Sequence, residues 1–423
     1  MKTLQLSIIF VFVITIGFGF IIENAFATPQ ASMGPPPVQN SSKRFDINVG
    51  LFPINVAVNP DTNTIYVAHA SGDSVSVISG KTNKTVSVIK VETDPVHVAV
   101  NPSTNMIYVS NSNSHSVSII SGLTNKVVAT IQVGEGPRDI LVNTETDTIY
   151  VANELSRTVS VIDGQTNKVI ATIPVCNISG AVSTFAINQS ENTIYVTCTG
   201  PEGAIDVISG TTNKLVGTIP VGLDPTNVAI NPYTNTLYTA NNGDYTVSVV
   251  SAKTSRVIDV IPVVIFPNVI AVNPVTNMVY VASSGNSSDK NLSVISGKTD
   301  KVVATVNVSS SAYNIAIDSS NNIIYVVNYA SNSVSVISGK TNTVIDTIPV
   351  GALPTSIAIN DVTKTVYVSN WYSDTVSMIP LTSLDLQTVP EFSFAIPILL
   401  IGITSLIVFY RMKFRKRGVD VLV

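Results

Sequence analysis

A tyrosine within an I-Y-V step, or a close variant of it, returns at Tyr66, Tyr108, Tyr150, Tyr195, Tyr238, Tyr280, Tyr325 and Tyr367, at spacings of 42, 42, 45, 43, 42, 45 and 42 residues. So regular a period constrains the fold more than any composition can: each unit must be one supersecondary element that buries its apolar surface against copies of itself. The second unit holds four short runs, VHVAV, MIYVS, SVSII and VVATIQV, separated by Asn-Pro, Asn-Ser, Ser-Gly and Gly-Pro turn signals. No run has a helical period. Four antiparallel strands per unit predict the blade of an all-β propeller, in which neighbours cover both faces of each sheet. That double coverage explains why the strands are nearly all apolar, with Ser or Ala where packing is tight.

The recurring words IYVAN, IYVSN and VYVSN, followed by VSVIS and TNKVV, resemble the YVTN β-propeller repeat family. The resemblance covers residues 45–380 and implies a propeller on an archaeal or bacterial surface protein. Fourth-strand text such as VATIQVG or DTIPVG follows seven units, whereas the eighth stops after TVSMI; the missing copy stands at the start, as RFDINVG. The N-terminal strand is therefore expected to complete the last blade and leave no open edge. Eight blades are predicted, with seven as the alternative because the family's familiar ring has seven.

The two ends read as address and anchor. Residues 1–27, with Lys2, an apolar stretch and Ala25-Phe26-Ala27, read as a signal peptide, or alternatively as an uncleaved N-terminal membrane helix. Residues 28–44 are a Pro/Ser-rich linker. After a second linker, 381–391, residues 392–410 form an apolar span that fits one bilayer, and residues 411–423 carry a basic cluster that sets the C-terminus inside. Pro390-Glu391-Phe392 with that helix and tail resembles the PEF-type sorting signal of archaeal surface proteins, which implies processing at the motif; a plain anchor is the alternative. Both readings place the chain on the outer face of the cell membrane, tethered by its C-terminus.

Blade order predicts that D-to-A and B-to-C loops share one face and the NPxTN and SGxTN turns the other. Pro at the second turn position, with Gly or Asn at positive φ, accounts for those turns as scaffold. The turn face is expected toward the bilayer. Length variation, in CNISGAVST, TGPEGA and SSGNSSDKN, falls on the opposite face, as binding loops of a repeat protein would or as neutral drift would.

Candidate chemistry is sparse. Cys176 and Cys198 fall on neighbouring outward-face connections, where a disulfide suits an exported chain, two free thiols being the alternative; no C-x-x-C is present. His69, His97 and His115 are placed in outward-face loops of the first two blades, as solvated residues or as a metal set. SGKT, which occurs three times, lacks the glycine and the strand-to-helix context of a phosphate loop, since Val75, Leu292 and Val334 hold the required position. Asp94, Glu154, Arg157, Tyr245, Tyr329, Trp371 and Tyr372 could form a recognition surface for sugar or protein, and sequons at Asn40, Asn83, Asn177, Asn188, Asn286, Asn291 and Asn307 offer glycan acceptors.

With 45% apolar and 12% charged residues and a net charge of −4, the chain has no basic field for nucleic acid. The inner strands, read as VAV, ILV, IAV and VAI, show no acid, base or metal cluster. The expectation is therefore a non-catalytic binding or envelope structural protein, without cofactor, that meets an envelope protein or glycan through its outward loops. The alternative is an extracytoplasmic propeller enzyme of lyase, lactonase, or metal- or quinone-dependent dehydrogenase type.

Overall fold

The computed structural model describes residues 44–177, 180–284 and 291–381. These residues form eight four-stranded antiparallel sheets. Strands are called A to D from the inside outward; in blade 2 they are Pro95–Asn101, Met106–Asn111, Ser116–Ser121 and Lys126–Gln132. The predicted all-β ring of eight is observed. Both proposed linkers, the anchor helix, the PEF motif and the leader lie outside the described residues, apart from Arg44 and Leu381.

Burial grades across each blade. Strands B and C are buried along nearly their whole length, because neighbouring blades cover both faces. Strand D alternates exposed and covered, as expected of a half-solvated edge. The repeating tyrosines are the largest side chains in these interfaces: Tyr66 packs with Val75, Val77 and Ile89 of its own blade and with Val98, Ile107 and Val109 of the next. Burial pushes the Tyr66 hydroxyl up to about 12.

The N-terminal strand Phe45–Asn48 pairs antiparallel with Thr375–Pro380, Ile47 opposite Val376, and so supplies strand D of blade 8. Ile47 is buried among Val56, Ile65, Val67, Val376 and Met378. Covering such a side chain is worth about 1.5–3 kcal/mol, so the closure packs like any other blade junction.

The NPxTN turns do more than reverse the chain. Asn59 Oδ1 accepts the Asp61 amide at 3.1 Å, while Asn59 Nδ2 donates to Asn105 Oδ1 in the next blade at 2.8 Å. The same bond recurs around the ring and closes it, from Asn360 to Asn63, at 2.9 Å; between blades 7 and 8 an ion pair, Lys364 to Asp318 at 3.9 Å, takes its place. The reading of the turn glycines needs correction. Positive φ falls on Asn63 (51°) and Asn83 (54°), not on Gly80. Gly80 is required by crowding instead: a Cβ there would lie 2.1 Å from Asn63 Oδ1.

One irregularity shapes the inside of the ring. In every blade the A–B ladder slips near the start of strand A, as between Pro95 and His97 or Pro137 and Asp139. A β-bulge breaks the alternation of side chains, so two consecutive residues can face the same way.

Candidate functional site

The strand A sequences are PINVAVN, PVHVAVN, PRDILVN, VSTFAIN, PTNVAIN, PNVIAVN, AYNIAID and PTSIAIN. Their later positions repeat, but the second and third change from blade to blade. Because of the bulge, both of those positions in all eight blades line one cavity of about 530 Å³ inside the ring, which also reaches Asp94, Ser112 and Glu154 of the D-to-A and B-to-C loops. The mouth therefore carries two tiers of side chains, mostly amides and hydroxyls, with one charged sector.

That sector belongs to blades 2 and 3. His97 Nε2 lies 3.4 Å from Asp139 Oδ1, both side chains about a quarter exposed. Asp139 is fixed from its other oxygen, which accepts the Phe185 amide of the next blade at 3.2 Å. Arg138 Nη1 donates to Glu154 Oε2 at 2.8 Å, and its backbone carbonyl accepts the Ser110 hydroxyl at 3.1 Å. Burial raises the Asp94 carboxyl above the usual carboxylate range, Asp73 adds to the rise, and Arg138 opposes it. Across the ring, burial likewise raises the Tyr313 hydroxyl, with Tyr329 adding and Arg138 opposing. An imidazole beside a carboxylate, an oriented guanidinium and a second, partly buried carboxyl thus share one cavity, an arrangement suited to general acid–base chemistry.

The expectation that the inner strands lack such a cluster is corrected. It counted the repeating VAV and ILV letters and passed over the two residues before them. Arg138, Asp139 and Tyr313 were missed for that reason; the signal that could have found them is that these positions alone fail to repeat.

The histidines also move. His69 ends strand B of blade 1, wholly buried, with Nε2 2.8 Å from Ser76 Oγ. His97 is a strand A residue on the cavity wall. Only His115 sits in a loop, where Nδ1 meets the Ser112 carbonyl at 3.0 Å and the Gly136 amide at 3.1 Å. The three do not form a group within reach of one ion among the described residues.

Of the recognition residues, Asp94 and Glu154 line the cavity. Tyr329 stacks on Tyr313 at 5.2 Å between ring centroids. Trp371 lies 5.5 Å from Phe52, and Tyr245 meets Phe266 edge-on at 5.0 Å. Tyr372 is exposed, and Arg157 occupies a left-handed turn position. Cys176 and Cys198 are joined by a disulfide, Cα atoms 5.1 Å apart. Among the sequons, Asn83, Asn177 and Asn307 are exposed and Asn291 is half-buried. Asn188 is 1% exposed and donates its amide to Asn235, so it offers no acceptor in the folded chain; Asn40 and Asn286 fall outside the described residues.

Residues 37–189 match the family model described as YNCE-like beta-propeller, and residues 121–258 match the one described as Lactonase, 7-bladed beta-propeller. No curated protein matches the chain. Among solved structures, hydrazine synthase of Kuenenia stuttgartiensis is similar over 83% of this chain and 99% of its own, at 18% identity and a TM-score of 0.56. Dihydro-heme d1 dehydrogenase NirN in complex with DHE is similar over 78% of this chain and 73% of its own, at 13% identity and a TM-score of 0.66. At those identities the two structures speak for the propeller fold alone. The repeat resemblance stands in its coarser form, a propeller repeat chain, here with eight blades where the lactonase description has seven. The expectation of a protein without catalysis is overturned by the lactonase match, whose residues include Arg138, Asp139 and Glu154.

Proposed function

We propose that the chain is a hydrolase of lactone-type esters, working in the axial cavity. The observation that carries this reading is the His97–Asp139 pair at 3.4 Å on the cavity wall. Asp139, oriented by His97 Nε2 and by the Phe185 amide, takes the proton from a water that attacks the ring carbonyl. Arg138, clamped by Glu154 at 2.8 Å, faces the negative charge that develops on the carbonyl oxygen. Asp94, whose carboxyl burial raises above the usual carboxylate range, is the cavity's acid group for the leaving alkoxide. Support comes from the family match over residues 121–258, which spans the third blade's part of this set.

The surrounding amides and hydroxyls, such as Asn55, Asn227, Asn314 and Thr226, suit a substrate with several hydroxyl groups. The exported, C-terminally tethered setting expected from the chain ends belongs to the same proposal. There the enzyme meets its substrate outside the membrane, among envelope glycans and proteins.

A pH-stat assay of the full chain in detergent against a panel of aliphatic and sugar lactones tests it. Turnover is expected, with His97→Gln and Asp139→Asn each lowering kcat by about 100-fold or more at unchanged fold. Hydrolysis of none of the lactones, or a His97→Gln variant with wild-type kcat, overturns the proposal.

A further inference from the structure

Seven blades carry a serine at the third position of strand C, such as Ser118, Ser160 and Ser248, and blade 4 alone carries an acid, Asp206. Five blades end strand B with asparagine, as at Asn153; blade 4 ends with Cys198. These two positions meet a third, the second residue after the preceding strand D. There Gly134 donates its amide to Ser160 Oγ at 3.4 Å, and Asn153 Nδ2 donates to the same oxygen at 3.0 Å. Blade 4 differs from blade 3 at all three corners: Cys176 stands for Gly134, Cys198 for Asn153 and Asp206 for Ser160.

The disulfide explains two of these changes and leaves the third without a reason. Cys176 N donates to Asp206 Oδ2 at 2.7 Å, a bond that serine accepts in other blades. Thr218 Oγ1 donates to Oδ1 at 2.5 Å. Asp206 is 2% exposed, and no ion pair reaches it among the described residues. A buried carboxylate without a cation is costly to keep. Its Oδ2 points at Cys198 Sγ, 3.6 Å away, and a disulfide sulfur has no proton to donate.

We infer that Cys176, Cys198 and Asp206 form, in the dithiol state, a site for a thiophilic divalent cation of the zinc class. Their ligand atoms lie within 4.8 Å of one another and all three residues are buried. Two thiolates and one carboxylate match the charge and donor set such an ion selects. The amide of Cys176 and the hydroxyl of Thr218 already orient the carboxylate, as outer-shell partners do. A water-sized space of about 20 Å³, bordered by Glu202 as well as by the three ligands, leaves room for a fourth donor. The site is opened by a dithiol reductant: its two thiols become a disulfide, the Cys176–Cys198 bond breaks, and two electrons and two protons pass to the sulfurs. Cation binding then releases the two thiol protons to solvent, so oxidation and metal occupancy exclude each other.

The test uses the full chain in detergent, reduced by a phosphine under argon, with thiol counting to verify two free cysteines, and Co²⁺ as the probe. One equivalent should give a thiolate-to-cobalt charge-transfer band and tetrahedral ligand-field bands, release two protons and raise the melting temperature of the reduced protein. The disulfide form should show none of these. Asp206→Ser, which installs the residue of the other seven blades, should weaken Co²⁺ binding at least tenfold, and Cys198→Asn should abolish the charge-transfer band. Absence of the band and of any thermal stabilisation in the reduced wild type overturns the inference. So does an Asp206→Ser variant that binds Co²⁺ as tightly as wild type.

Discussion

His69 gives the ring closure an acid sensitivity that can be worked out in advance. Its imidazole is wholly buried beside Gly50 and bonded through Nε2 to Ser76 at 2.8 Å. Burial lowers it from 6.5 to about 4, against opposing contributions from Asp374 and from the Gly50 and Leu51 backbone. Because the folded value is depressed, the unfolded chain binds more protons between these limits, so stability present above about 6.5 is lost as pH falls toward 4. Linkage puts the loss between pH 7 and pH 4.5 at about 2 kcal/mol. For a ring of this size that is about 3 °C in melting temperature.

Carboxylates titrate over the same range, so the measurement is a difference between wild type and His69→Asn. Five other blades place asparagine at this position; Asn111 donates to Ser116 and Ser118 at 3.1 and 2.9 Å, and Ser74 and Ser76 are the corresponding acceptors in blade 1. The variant should match wild type at pH 7 within about 1 kcal/mol and lose about 2 kcal/mol less on acidification. Thermal unfolding followed by near-ultraviolet circular dichroism at both pH values reads this directly. Parallel curves for the two proteins would refute the reasoning, as would a His69 resonance that titrates near 6.5 in the folded state.

Other consequences are open to the same kind of measurement. Asn231→Ala removes the 2.6 Å bond to Asn277 and leaves that oxygen without its donor; a loss of about 1–3 kcal/mol is expected by denaturant unfolding. Gly80→Val should destabilise by about 1–3 kcal/mol through crowding against Asn63. Gly217→Ala, whose Cβ meets nothing within 4 Å, should instead be neutral or stabilising. Deleting Phe45–Asn48 exposes the edge of Thr375–Pro380 and removes Ile47, so light scattering should report self-association that wild type lacks. A monomeric deletion variant with unchanged melting would contradict the closure's role.

Much of the fold was legible because it rests on local periodicity. Strand alternation, turn chemistry and the displaced RFDINVG copy each repeat in register, so every unit checks the others. The site was legible only in fragments. Asp94 and Glu154 stand out as acids in loops, but Arg138 and Asp139 hide inside a word read as strand. Simple alternation would send those two to opposite faces; the bulge between Pro137 and Asp139 lines them both on the cavity. His69 and His97 were misplaced by the same limit, since strand ends are set by ladder register and not by residue type.

The sequence by itself determined the number of blades, the order of their strands and the closure by the first strand, because these follow from a period and from where its copies begin and end. Only the tertiary structure decided which residues meet across the ring. His97 and Asp139 lie 42 positions apart, and Cys176, Cys198 and Asp206 come from two blades. Side chains that far apart in the chain become neighbours only when blades pack face to face and the bulged inner strands converge on one cavity. Chemistry among them is a property of that convergence.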